Sequence, residues 1–141
     1  MNANADIIFS ESQPEDIIPF LEEKIYEYNS SKIKKDDGKL FAKTIRDTED
    51  NIIAGISGWV WADACEITLL WVKDEYRNKG YGSLLLEAAE QEAQKKNCKI
   101  ILLKSYDFQA PSFYQKYNYQ IELITKDFPP GHSYYCLIKR I

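Results

Sequence analysis

Residues 66–104 read EITLLWVKDEYRNKGYGSLLLEAAEQEAQKKNCKIILLK, and the order of patterns within this stretch decides the fold. EITLLWV (Glu66–Val72) is a run of apolar and β-branched residues, the mark of a strand. From Tyr81 the period changes. Tyr81, Leu85, Ala88, Ala89 and Ala93 stack as the apolar stripe of a helix whose wet side carries Glu87, Glu90, Gln91, Gln94 and Lys95. Asn97 tolerates the left-handed conformation that ends such a helix, and CKIILLK (Cys98–Lys104) is a continuous apolar run, the pattern of a strand covered on both faces. Strand, helix and buried strand in succession imply a parallel crossover, because parallel neighbours cannot be joined by a tight turn.

The flanks complete a sheet. KLFAKTIRD and NIIAGISGWVWAD read as two strands of a hairpin closed at Asp47–Asn51, and a second turn at Ala62-Asp63-Ala64 leads into the crossover. Beyond it, Gln109–Tyr117 reads as a short helix with Pro111 in its first turn, and YQIELITKDF and SYYCLIKRI as closing strands around Pro129-Pro130-Gly131. Near the start, DIIFS (Asp6–Ser10) is a short strand candidate. Ser12-Gln13-Pro14-Glu15 fits a capping box ahead of a helix with Ile17, Leu21, Ile25 and Tyr28 on one face. Pro19 removes an internal hydrogen bond, so that helix is expected to be distorted or to start late. The total is six or seven strands and three or four helices: an α+β chain with a mixed, mostly antiparallel sheet and a central parallel strand–helix–strand crossover.

A chain of 141 residues suits one core, and no composition shift divides it, so residues 1–141 are expected to form a single domain. The net charge of −4 and pI of about 5.1 argue against a nonspecific nucleic-acid surface and suit a cationic or amine-bearing partner. Cys65, Cys98 and Cys136 are odd in number, widely spaced and in apolar surroundings, which suggests reduced thiols rather than disulfides or a metal site. The start, MNANADIIFSESQ, lacks the pattern of an export signal, and Asp63 and Glu66 interrupt the apolar region Ile52–Val72, so a cytoplasmic protein without a membrane span is expected.

RNKGYG (Arg77–Gly82) sits where the strand ends and the helix begins. A helix N-terminus presents unpaired N–H groups and the positive end of the macrodipole, so a phosphate docks there readily. Gly80 and Gly82 let an anion approach the backbone, and Arg77 and Lys79 add charge. A Walker loop would carry its lysine after the glycines, and the dinucleotide fingerprint fails because Leu85 occupies its third glycine position. A pyrophosphate is the natural guest, although a plain turn into a helix would use the same residues.

LLWVKDEYRNKGYGSLLLEAAEQEAQKKN resembles the central motif of the GNAT superfamily of acyl-CoA-dependent N-acetyltransferases, with Val72, Tyr76, Arg77, Gly80 and Gly82 in register. APSFYQKYNY is similar to that family's second signature through Ala110, Phe113, Tyr114, Lys116 and Tyr119. The resemblance implies a single-domain GNAT fold with helices on both faces of the sheet, and acetyl-CoA as co-substrate without a metal. It implies that the main chain of Leu70, Trp71 and Val72 pairs with pantetheine and that the amides from Arg77 through Asn78, Lys79, Gly80, Tyr81, Gly82 and Ser83 hold the pyrophosphate. The partner implied is an amine acceptor, with neither nucleic acid nor membrane, for a monomer or a homodimer.

Amine attack on a thioester calls for a base, an oxyanion donor and an acid for the departing thiolate. By resemblance Tyr114 is the acid and Glu66, six residues before Val72, the base; His132 in PPGHSYY is a second base candidate. Cys65 and Cys136 have no basic neighbour in sequence to generate a thiolate, which favours direct transfer over an acyl-enzyme. Trp59, Trp61, Tyr26, Tyr28 and His132 are candidate walls for the acceptor. Asp107 stands where many family members carry asparagine and Asn118 where they carry glycine, and the first change puts a cofactor contact in doubt. The alternative function is a noncatalytic acyl-CoA-binding regulatory protein that keeps the loop without the acceptor chemistry.

Overall fold

The computed structural model describes residues 6–141, which fall into two compact units divided between Asp36 and Asp37. The first unit holds one helix, α1 (Pro14–Ile33). Gln13, not Ser12, is its N-cap, and no side chain caps it, so the expected capping box does not form. This register puts Pro14 at the first helical position, where a missing N–H costs nothing. Pro19 neither delays nor ends the helix, which runs 20 residues through it; one lost bond is small against the rest of the ladder. Residues 7–10 form no strand. Apolar composition makes a strand only where a partner edge pairs with it, and Ile7, Ile8 and Phe9 remain exposed.

The second unit is built on six strands: β1 (Lys39–Arg46), β2 (Ile52–Trp61), β3 (Ala64–Val72), β4 (Ile100–Tyr106), β5 (Gln120–Lys126) and β6 (Ser133–Arg140). Helix α2 (Tyr81–Lys95) follows β3 after a single 3-10 turn at Asp74–Tyr76, and α3 (Pro111–Gln115) follows β4. The strand order is β1-β2-β3-β4-β6-β5, antiparallel except for the β3–β4 pair that α2 connects. Ala62 and Asp63 both take positive φ, as the tight β2–β3 hairpin demands. Asn97 takes φ 58° just past α2, in the left-handed position expected of it. No helix among the described residues is long and apolar enough to cross a membrane.

Leu85, Leu86, Ala89 and Ala93 of α2 bury against Ile56, Val60, Cys65, Ile67, Ile101, Leu103 and Leu137 of the sheet, and Tyr114 of α3 and Tyr119 join the same cluster. Along β3 the inward side changes phase. Cys65 and Ile67 point to this core at the start of the strand, whereas Leu70 and Val72 pack against it at the end. The cause is a β-bulge: Gly58 faces Ile67 and Ser57 faces Leu69, leaving Thr68 as the extra residue on β3. Only glycine fits opposite it, because a Cβ on Gly58 would run into the Glu66 carbonyl and stand 2.6 Å from Phe41 Cζ. The bulge marks the point where β3 and β4 part, for their pairing runs from Ala64↔Ile100 to Ile67↔Leu103 and stops.

Candidate active site

Past Ile67, β3 continues to Val72 paired only with β2, while β4 continues to Tyr106 paired only with β6. The two strands are the prongs of a fork. Among the described residues, the side of Thr68–Val72 that faces away from β2 therefore has no strand partner, and its backbone donors and acceptors are left for water or an extended ligand to pair. A cleft of about 700 Å³ opens there, lined by Thr68–Val72 on one side, by Lys104, Ser105 and Phe108 on the other, and by the loop before α2 and by α3 at its ends.

The loop before α2 has the form that an anion site needs. Asn78 and Gly80 both take positive φ, at 59° and 87°, and turn the chain so that α2 starts at Tyr81. No side chain caps this end, and its first turn has no acidic residue. The first ladder bond there is Leu84 N–H to the Gly80 carbonyl at 3.0 Å, so the N–H groups of Tyr81, Gly82 and Ser83 belong to the orphan donors of a helix start. Gly82 lies under Phe113, whose Cζ would stand 3.4 Å from an added Cβ.

Of the residues expected to bind cofactor, Leu70, Trp71, Val72, Arg77, Asn78, Gly80, Tyr81, Gly82 and Ser83 all line the cleft, while Lys79 does not. Two of them are already engaged. The guanidinium of Arg77 folds back to donate to the Val72 carbonyl at 3.0 Å and to pair with Asp74 at 2.8 Å, which braces the loop. The Ser83 hydroxyl is hydrogen-bonded to the Tyr117 hydroxyl, tying the first turn of α2 to the end of α3. Lys79 rests its ammonium 5.6 Å from the centre of the Tyr76 ring.

Tyr114 lines the same cleft at 9% exposure, edge-on to Phe113 at 5.2 Å and to Tyr119 at 6.0 Å. Burial pushes its phenol up to about 12. Its hydroxyl takes part in none of the side-chain hydrogen bonds that fix the neighbouring tyrosines: Tyr117 holds Ser83, and Tyr119 donates to Glu90 at 3.0 Å, where Lys139 also donates at 2.8 Å. Hydrogen-bonded and packed neighbours thus flank the Tyr114 ring.

Glu66 is not among the lining residues. It sits one pair short of the fork, opposite Leu102 and Trp59, and accepts from the Trp59 indole N–H at 3.4 Å. Alternation places it on the sheet face away from Cys65 and Ile67, with Trp59 and Trp61, which stack on each other at 6.0 Å. Tyr26 and Tyr28 belong to α1, in the other unit. His132 and Asp107 meet: Oδ1 of Asp107 lies 3.1 Å from Nδ1 of His132, and Oδ2 accepts the Ser133 N–H at 2.9 Å. The carboxylate at the position usually held by asparagine is thus spent on the hairpin that leads into β6.

All three thiols are free, and burial raises each above its ordinary value, Cys65 to about 12. None is a ready thiolate nucleophile. Among the described residues no group of three or more His, Cys, Asp or Glu side chains converges as a metal site would. Lys104, Ser105, Phe108, Gln109, Ser112, Lys116 and Tyr117 are lining residues that sequence reasoning missed. Ser105 was within reach of it, because alternation along β4 puts Ser105 on the inward side with Ile101 and Leu103.

Residues 5–119 match the model of the acetyltransferase (GNAT) family. Blasticidin-S acetyltransferase of Streptomyces morookaense is 34% identical over 90 residues, which are 63% of this chain and 64% of that protein, so the match spans just under two thirds of the relative. An acetyltransferase of Agrobacterium fabrum is 26% identical over 92 residues, 65% of this chain and 67% of that one. The crystal structure of an acetyltransferase from Bacillus cereus ATCC 14579 superposes with a TM-score of 0.81 at 32% identity, covering 97% of this chain and 99% of the other.

Proposed function

Because this chain belongs to the acetyltransferase (GNAT) family, we propose that it transfers an acetyl group from acetyl-CoA directly to an amine. The observation that carries the reading is the fork, whose unpaired β3 edge ends at an uncapped helix start. A pantetheine arm is an extended chain with amide groups, and Leu70, Trp71 and Val72 offer it the ladder positions that β4 vacates. At the end of that edge the N–H groups of Tyr81, Gly82 and Ser83 take the pyrophosphate, helped by the α2 dipole. The thioester then lies toward the closed end of the fork, beside Tyr114.

There the amine nitrogen attacks the carbonyl carbon, the new C–N bond forms and the C–S bond breaks. Tyr114 donates its proton to the departing sulfur and, as a phenol held near 12, takes one back from solvent at neutral pH, so it is protonated again before the next turnover. Glu66, across the sheet at the base of the fork, receives the proton lost by the amine through intervening water. No cysteine step is needed, and the raised thiols fit direct transfer. Three free cysteines and the use of acetyl-CoA agree with a cytoplasmic protein.

Calorimetric titration tests the cofactor half of this reading. Acetyl-CoA should bind with micromolar affinity and CoA should compete with it, while ATP, which offers phosphates without pantetheine, should bind at least tenfold more weakly. Equal binding of ATP and acetyl-CoA would mean that the loop is a plain phosphate site.

A further inference from the structure

Tyr106, Phe108, Phe128 and Tyr134 come from the end of β4, the loop after it, the β5–β6 hairpin and β6, yet they form one tier of rings. The Tyr106 plane lies within 4° of Phe108 at 5.2 Å and within 10° of Phe128 at 6.5 Å, and Tyr134 packs 4.3 Å from Tyr106. Phenylalanine has no polar atom to satisfy in water, but Phe108 is 61% exposed and Phe128 51%. The tier is continuous with the cleft, since Phe108 lines it together with Tyr114. Asp107 and His132 stand beside it, with the imidazole edge-on to Phe108 at 5.1 Å.

Resting on the acetyl-transfer reading above, we propose that this tier is the acceptor subsite and that the acceptor is an amine carrying a flat ring. Near-parallel exposed rings offer faces, and a face is best covered by another flat π-system in offset stacking. A flexible aliphatic polyamine would gain no such match and would lose more rotamer freedom on binding. The amine nitrogen of the ring-bearing ligand reaches from the Phe108 end of the tier into the cleft that Tyr114 lines. The Asp107 carboxylate adds negative charge at the edge of the tier, which favours a cationic amine over a neutral or acidic molecule.

The test separates binding from turnover. Tryptamine, tyramine and 5′-amino-5′-deoxyadenosine are titrated into the CoA-saturated protein beside n-hexylamine, 1,5-diaminopentane and spermidine, in the wild type and in Phe108→Leu and Phe128→Leu. At least one ring-bearing amine should bind about tenfold tighter than every aliphatic one, and both substitutions should remove that margin, with acetyl-CoA affinity unchanged in Phe128→Leu, whose ring does not line the cofactor cleft. Equal binding by the two classes, or a margin that survives both substitutions, overturns the proposal. Thiol release with the same amines is followed separately. Turnover of aliphatic and ring-bearing amines at equal kcat/KM leaves acetyl transfer standing and overturns the flat-ring assignment. A ring-dependent binding margin with no thiol release from any amine leaves the subsite standing and overturns acetyl transfer.

Discussion

Tyr114 is caught between two demands. Its ring belongs to the hydrophobic core and its hydroxyl to the cleft, and the first demand sets the chemistry of the second, since burial moves the phenol from about 10 to about 12. An acid that weak never loses its proton at working pH, so no basic limb of the rate profile below about pH 11 comes from it. The same shift has a consequence for stability. The unfolded chain ionises this phenol near 10 and the folded chain only near 12, so its contribution is complete below pH 10 and is lost as pH rises from 10 through 12. Thermal melts at pH 9, 10 and 11 should therefore show the wild type losing Tm more steeply than Tyr114→Phe. Tyr119 is raised as well, by burial, then by Glu90, and least by Cys65 and Tyr114; all but the last of these causes are common to both proteins and cancel in the difference, and the loss of the Tyr114 contribution acts in the same direction as the prediction. Parallel losses in the two proteins would contradict the assignment.

The fork is made by one glycine and one extra residue. Gly58 allows β2 to close onto the Glu66 carbonyl, Thr68 bulges out opposite, and the bend turns the end of β3 away from β4. Gly58→Ala puts a methyl group against the Glu66 backbone carbonyl, which cannot swing clear, and against the tip of the Phe41 ring, and should cost about 3 kcal/mol of stability in a denaturant titration. A loss under about 0.5 kcal/mol, the size of an ordinary surface change, would show that the strands do not meet as described. Strands, hairpins and the crossover are legible in the sequence because each is a local pattern of period or turn residues. Gly58 and Thr68 are not, since their meaning lies in an approach between strands that no window of sequence contains. Asp6–Ser10 misleads for the same reason: the apolar run is real, but residues 7–10 form no strand.

Across the whole molecule, the cofactor side is written in contiguous motifs and the acceptor side is not. RNKGYG and the edge of β3 sit within fifteen residues and can be read together; nine of the ten cofactor residues expected from them line the cleft. Tyr114 was found through FYQKYNY, which is also contiguous. The ring tier gathers side chains from positions 106 to 134, and nothing in the order of the sequence announces that Phe108 and Phe128 both lie near-parallel to Tyr106. The pairing of Asp107 with His132 is equally hidden, and it shows that the carboxylate anchors the last hairpin.

Acetyl transfer within the fork, with Tyr114 as the acid, is tested most directly by following free thiol released from acetyl-CoA over a broad panel of primary amines. For the best amine in the panel, Tyr114→Phe should lower kcat by about 10²- to 10⁴-fold and leave the KM for acetyl-CoA within twofold. Acetyl-CoA bound without thiol release by any amine, or a Tyr114→Phe protein as fast as the wild type, would contradict the account.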